Sequence, residues 1–293
     1  ETAIARSHAP ADESAKESNA DNLWTRADFA RRAPGIDWQA FFAAAGLAGR
    51  SSFVVWQPSA VEGAAALVAA QPVAAWRDYL RVRELDRHAD LLPKAFAEAA
   101  RSMHPGAAHG TAAERAQTAT LGALAEEVGR LYTDRHFPPD SKARVARIVA
   151  DVVAAFRQRV EQVTWMSAAS RTVALAKLDR LEFGVGYPDR YPGGPALAID
   201  REDAVGNFER LAARAYARAI SRLGQPVDRK EWWIAPQTVG AVLLFQQNAY
   251  NFPAALLQAP KFDPAASDAA NYGAIGAIVG HEVSHFVDTL GAD

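Results

Sequence analysis

Apolar positions recur at helical rather than strand spacing along most of this chain. The clearest stripe is Val145, Ile148, Val149, Val152, Val153 and Phe156, behind the helix-starting run Pro138-Pro139-Asp140. Arg144, Arg147 and Arg157 fall among its polar positions, and this basic face is read as solvated and without function. Upstream, Trp38 to Ala45 predicts a short helix stopped by Gly46. Pro72 then opens a helix reaching about Ala100 on a stripe of Trp76, Leu80, Leu85, His88 and Leu92. His88 on that stripe is read as a hydrogen-bonded core residue rather than a ligand. Thr111-Ala112-Ala113-Glu114 is a capping box, and Leu121, Leu124, Val128 and Leu131 continue one face behind it. Asn207 to Leu223 predicts another helix, closed by Gly224.

Between these helices lie weaker signals. Glu1 to Ser7 reads as the end of a helix, and residues 8 to 22 as a polar loop or linker. Ser52 to Trp56 predicts a short strand, and Gly184 to Pro195 a Gly- and Pro-rich loop. Gln237 to Phe245, rich in Val and Leu, is the strongest strand signal ahead of the last helix. Asn251-Phe252-Pro253 and Gln258 to Pro264 read as irregular chain up to a helix starting near Ser267. The fold expected is therefore mainly α with a small β component, and the chain carries no internal repeat.

Composition narrows the function. The 293 residues, half of them hydrophobic and including seven Trp and thirteen Phe, supply a substantial core. A net charge of −2 with no basic run argues against nucleic acid as a partner. Nowhere do about eighteen apolar residues run together, as a membrane span requires. The absence of cysteine removes disulfides, Cys-ligated metal and thiol catalysis, without fixing the compartment. The chain begins without Met and ends at Asp293, so both ends look cut.

The last helix carries the chemistry. His281 and His285 stand four residues apart, so both imidazoles aim at one point, with Glu282 beside them. Two neutral imidazoles suit Zn²⁺, and an adjacent carboxylate suits a general base toward a water that the ion activates. This is the H-E-x-x-H spacing of zinc metallopeptidases. The alternative is a surface helix with two ordinary histidines, but no charged residue lies between Asp268 and His281, and Ile275, Ile278, Val279 and Val283 make the helix apolar. A carboxylate in such surroundings is costly unless something such as a metal offsets it.

Many short motifs carry a family resemblance. Ala33-Pro34-Gly35-Ile36-Asp37-Trp38, Lys94-Ala95-Phe96, Phe137-Pro138-Pro139, Trp165-Met166-Ser167 and Gly186-Tyr187-Pro188-Asp189 come first. Pro236-Gln237-Thr238-Val239, Phe252-Pro253-Ala254, Phe262-Asp263-Pro264, Asn271-Tyr272-Gly273 and Gly280-His281-Glu282 follow in order. Together they resemble the neprilysin-type zinc endopeptidases, peptidase family M13 with its bacterial oligopeptidases. The resemblance implies a helical cap domain, placed at residues 1–203, followed by the N-terminal part of a thermolysin-like zincin domain at 204–293. It implies zinc as cofactor, His281 and His285 as ligands, Glu282 as general base and oligopeptides as substrates. A bacterial periplasmic or secreted location is the accompanying expectation.

The resemblance also brings departures. In the family a third ligand, a glutamate, and a transition-state-stabilising histidine lie further on, so either this chain is a fragment, with a segment beyond Asp293 expected to complete the site, or the product is inactive. The family's edge strand carries an Asn-Ala pair that holds the substrate backbone. Counting between the flanking motifs places that pair at Gly240 and Ala241, so the amide is lacking; Asn248 is read as a turn or strand-end residue. Asp288 lies three residues beyond His285 on the same face, where it either hydrogen-bonds a ligand imidazole or serves as a cap or solvated group. Two functions follow: a zinc endopeptidase of oligopeptides, or a catalytically silent peptide-binding or regulatory paralogue of the same fold.

Overall fold

The stripe on the helix Pro139–Gln162 is the axis around which one half of the chain packs. Val145 and Ile148 are fully buried, Val149 nearly so, and Val152, Val153 and Phe156 pack against the same core. The computed structural model describes residues 1–104, 110–191, 197–244 and 247–288. It is mainly helical with few short strands, and the chain divides into two compact units. One comprises Glu1–Gly110 with Ala198–Leu223, the other Thr111–Leu197 with Gly224–Asp293. The domain boundary expected after residue 203 is drawn on family resemblance, a different criterion, and remains a proposal beside this spatial division. No helix among the described residues is long and apolar enough to cross a membrane.

The first unit is built on an aromatic cluster. Strand β1 (Leu23–Thr25) pairs antiparallel with β2 (Ser52–Val54), bringing Trp24 opposite Phe53. The Phe29 ring lies within 4.7–5.6 Å of Trp24, Trp38, Phe42 and Phe53, close enough for edge and tilted ring contacts. A capping box of Thr25 and Asp28 starts the helix Arg26–Arg32 that carries Phe29. The polar stretch 8–22 holds two short helical turns, Ala11–Ser14 and Glu17–Asp21.

The helix expected from Pro72 to Ala100 is two helices, Val73–Arg87 and Lys94–Met103, joined through a 3₁₀ turn at Ala89–Leu91. Pro93 is the reason: the residue before a proline is driven out of helical backbone, and Leu92 is extended. Of the expected stripe His88 is buried as read, while Leu80 and Leu85 are exposed. The helix predicted from Asn207 spans Ala204–Arg222, capped by the Asp203 side chain and closed at Gly224, whose φ is +82°.

In the second unit the Thr111–Glu114 capping box starts the helix Ala112–Ala123, and Ala125–His136 follows. Two strands contradict the sequence reading. Strand β3 (Glu182–Gly186) runs into the stretch expected to be loop, and β5 (Ala249–Pro253) forms where irregular chain was expected. Between them in sequence, β4 shrinks to Val242–Leu244, with Phe245 outside the described residues. The sheet order is β3-β5-β4, with β3 parallel and β4 antiparallel to the central strand. Every residue of β5 is buried, so it shows no alternation to read. In β3, Gly184 gives room to the Trp232 ring and the Asn251 amide, which a Cβ would strike at 2.6–2.8 Å.

Because Ile148 is fully buried where the long helix meets the rest of this core, Ile148→Ala is expected to destabilise the second unit by about 2–5 kcal/mol, measured by urea unfolding.

Candidate metal centre

The helix bearing the two histidines is anchored at its start. Ser267 caps Asp268–Asn271, its hydroxyl accepting from the Ala270 amide. Arg144, on the long helix, donates to the carbonyls of Pro264 (2.7 Å) and Ala266 (2.9 Å) and twice to the Asp268 carboxylate (2.7 and 3.0 Å). The position assigned to a solvated basic face thus clamps the turn leading into the helix. Arg157 on the same face pairs with Asp179 and Glu161. Asn271, buried, makes a reciprocal pair of 2.9 Å bonds with the Asp263 main chain.

A π turn, Tyr272–Gly276, then leads into the helix Ala277–Ser284. Twelve residues of ideal α-helix would leave Asn271 and Val283 about 120° apart around the axis. The wider π turn removes much of that angle, so Asn271, Ile275, Val279 and Val283 are all buried. His281 is left exposed, with Glu282 and His285 half-buried.

The helix tightens where it ends. His285 is its C-terminal cap, and its amide bonds to the Glu282 carbonyl at 3.2 Å; Phe286 and Val287 repeat the same three-residue step. The rings of His281 and His285 lie 4.8 Å apart, centroid to centroid, at 83°. Nδ1 of His285 is 2.5 Å from an Asp288 carboxylate oxygen. A carboxylate only accepts, so Nδ1 carries the proton and, in the neutral ring, Nε2 keeps its lone pair. Two imidazoles presented from one helical turn are each able to offer a nitrogen to a divalent ion.

Gly240 and Ala241, both half-buried, precede β4 at the edge of the sheet. Their segment is seated by the Gln237 amide on the Ala125 carbonyl and by the Ala255 amide on the Pro236 carbonyl. Asn248 is a turn residue with φ +51°, its amide donating to the Lys177 carbonyl. Tyr250 is fully buried on β5 and donates its hydroxyl to the Glu282 carbonyl.

Among the described residues, one group of three offers ligand atoms near enough to share an ion: Glu84, His88 and Glu209, in the first unit. His88 is buried, with Nδ1 3.1 Å from both the Glu84 main-chain carbonyl and the Glu84 carboxylate, and Nε2 2.9 Å from the Glu209 carboxylate.

Two profiles, both described as Peptidase family M13, match residues 1–188 and 241–293. The chain belongs to peptidase family M13. Among solved M13 relatives, the zinc metalloprotease Zmp1 of Mycobacterium tuberculosis, in complex with an inhibitor, is 34% identical with a TM-score of 0.89. The match covers 99% of this chain and 45% of that one. The neutral endopeptidase of Lactobacillus helveticus is 36% identical over 175 residues, which are 58% of this chain and 27% of that protein. Endothelin-converting enzyme-like 1 of Homo sapiens is 34% identical over 176 residues, covering 56% and 22%. This M13 chain therefore spans less than half the length of these relatives.

The four bonds from Arg144 predict that Arg144→Ala loosens the start of the histidine helix. The expected loss is about 1–3 kcal/mol of stability, with faster amide exchange at Ala269 and Ala270, read by hydrogen exchange.

Proposed function

We propose that the protein containing this chain is a zinc endopeptidase acting on oligopeptides, with His281 and His285 as zinc ligands and Glu282 as general base. The observation that carries the reading is the pairing of the His281 and His285 rings at 4.8 Å, with Asp288 holding the far nitrogen of His285. That donor set, two imidazoles with one oriented by a carboxylate, fits zinc, and the Asp288 bond would raise the basicity of the His285 ligand. Zinc bound there would supply Lewis acidity toward a water and a peptide carbonyl.

Glu282 follows His281 on the same helix and is half-buried beside the pair. It takes a proton from the attacking water and passes it to the departing amine. The substrate lies along β4, an edge strand of the sheet among the described residues. Main-chain hydrogen bonding to that edge holds a peptide with little regard to its sequence.

A second reading, a peptide-binding paralogue without turnover, is favoured by one observation. Gly240 supplies no amide at the register where the family resemblance expects one. The space is there, since a Cβ on Gly240 would meet only the end of Ile234, at 3.8 Å.

Two outcomes separate the readings. In the protein as its gene encodes it, Glu282→Gln is expected to abolish cleavage of a fluorogenic peptide while zinc content stays at the wild-type level; undiminished cleavage excludes the proposed base. Gly240→Asn is expected to lower KM about fivefold, the value of one recovered hydrogen bond of about 1 kcal/mol, in the same assay.

A further inference from the structure

Between the two histidines, the carbonyl of Glu282 is held from outside the helix. The Tyr250 hydroxyl, coming from the central strand β5, donates to it at 2.5 Å. We propose that Tyr250 is a positioning residue for the histidine pair: its hydroxyl fixes the terminal turn of the helix so that His285 stands beside His281. The inference rests on the zinc reading above and adds to it a residue from the sheet.

The donor is immobile. Tyr250 is fully buried, stacked on Phe252 at 5.7 Å and Phe183 at 6.3 Å, with Phe286 edge-on at 5.4 Å. Its position is therefore set by three neighbouring rings, two of them on the sheet. Burial, with the negative charges of Glu282 and Asp288 nearby, holds the phenol well above its ordinary pKa, so it stays a donor.

The acceptor sits at the point where the helix changes pitch. In a continuing α-helix the Glu282 carbonyl would accept the amide of Phe286. Here it accepts the His285 amide at 3.2 Å, and the Phe286 amide turns to Val283 at 3.3 Å. One oxygen thus joins the backbone of the second imidazole to the centre of the sheet. Without the phenol, that oxygen loses a partner and the turn is released toward the wider α geometry, a change of about 20° per residue. Ligand sites tolerate about 10–20° of misorientation, so a change of this size reaches the metal.

Tyr250→Phe removes one oxygen and keeps the ring stack, and His281→Ala removes a ligand. Both variants and the wild type are compared as the full gene product, by zinc competition against a chromophoric chelator and by the visible spectrum of the Co²⁺-substituted protein. Tyr250→Phe is expected to weaken zinc binding roughly tenfold and shift the Co²⁺ bands, with metal-free thermal unfolding near that of the wild type. The His285 amide is expected to exchange faster in the metal-free variant. Wild-type zinc affinity, or unchanged exchange at His285, in Tyr250→Phe overturns the role of Tyr250 while His281→Ala still abolishes binding. Zinc binding that survives His281→Ala overturns the zinc reading itself, and this inference with it.

Discussion

The seam between the long helix Pro139–Gln162 and the helix carrying the histidines is the constraint on which the candidate site depends. Ile275, Val279 and Val283 are wholly buried in the same core as Val145, Ile148 and Val149. Burying six aliphatic side chains fixes the rotation of the shorter helix about its axis, since any other rotation would return apolar surface to water. With that face committed, His281 is directed outward and His285 and Glu282 to the margin. The polar anchors, Arg144 and Asn271, then fix where along the seam the helix begins. Rotation is set by hydrophobic burial and translation by hydrogen bonds.

Much of this was legible because helices announce themselves by period. The stripe from Val145 to Phe156, the Thr111 capping box and the H-E-x-x-H spacing depend on residues within a turn or two of each other, and all three appear as read. The sheet was harder. Strand β5 is buried on both faces and therefore lacks alternation, and the glycines of β3 resemble a loop when the ring they accommodate is unseen. Tyr250 was illegible for a related reason, because its partner lies 32 residues away and the bond is to a main-chain carbonyl. Asp288 was visible by spacing, but only geometry placed it on His285. On the long helix, the charge of Arg144 was plain while the carbonyls it would meet were not.

The environments of His88 and His285 differ in a way that bears on the site. His88 Nδ1 meets the Glu84 main-chain carbonyl and carboxylate, and Nε2 lies 2.9 Å from the Glu209 carboxylate, so both ring nitrogens have partners within the protein. His285 has one on Nδ1 alone, which orients the ring and leaves the other nitrogen to a further partner. Burial ranks them the other way, since His88 is the more buried. The number of ring nitrogens already engaged, not depth, distinguishes a structural imidazole from one available for coordination.

The π turn at Tyr272–Gly276 carries a consequence for how this segment can vary over generations. Its extra residue is already absorbed in bringing Asn271 and the aliphatic face to one side. Adding or losing one residue between Asn271 and His281 would swing the histidines by about 100°, from solvent toward the seam. The segment is therefore held to its length as well as to its buried face, and drift by insertion or deletion is confined to the connections outside it.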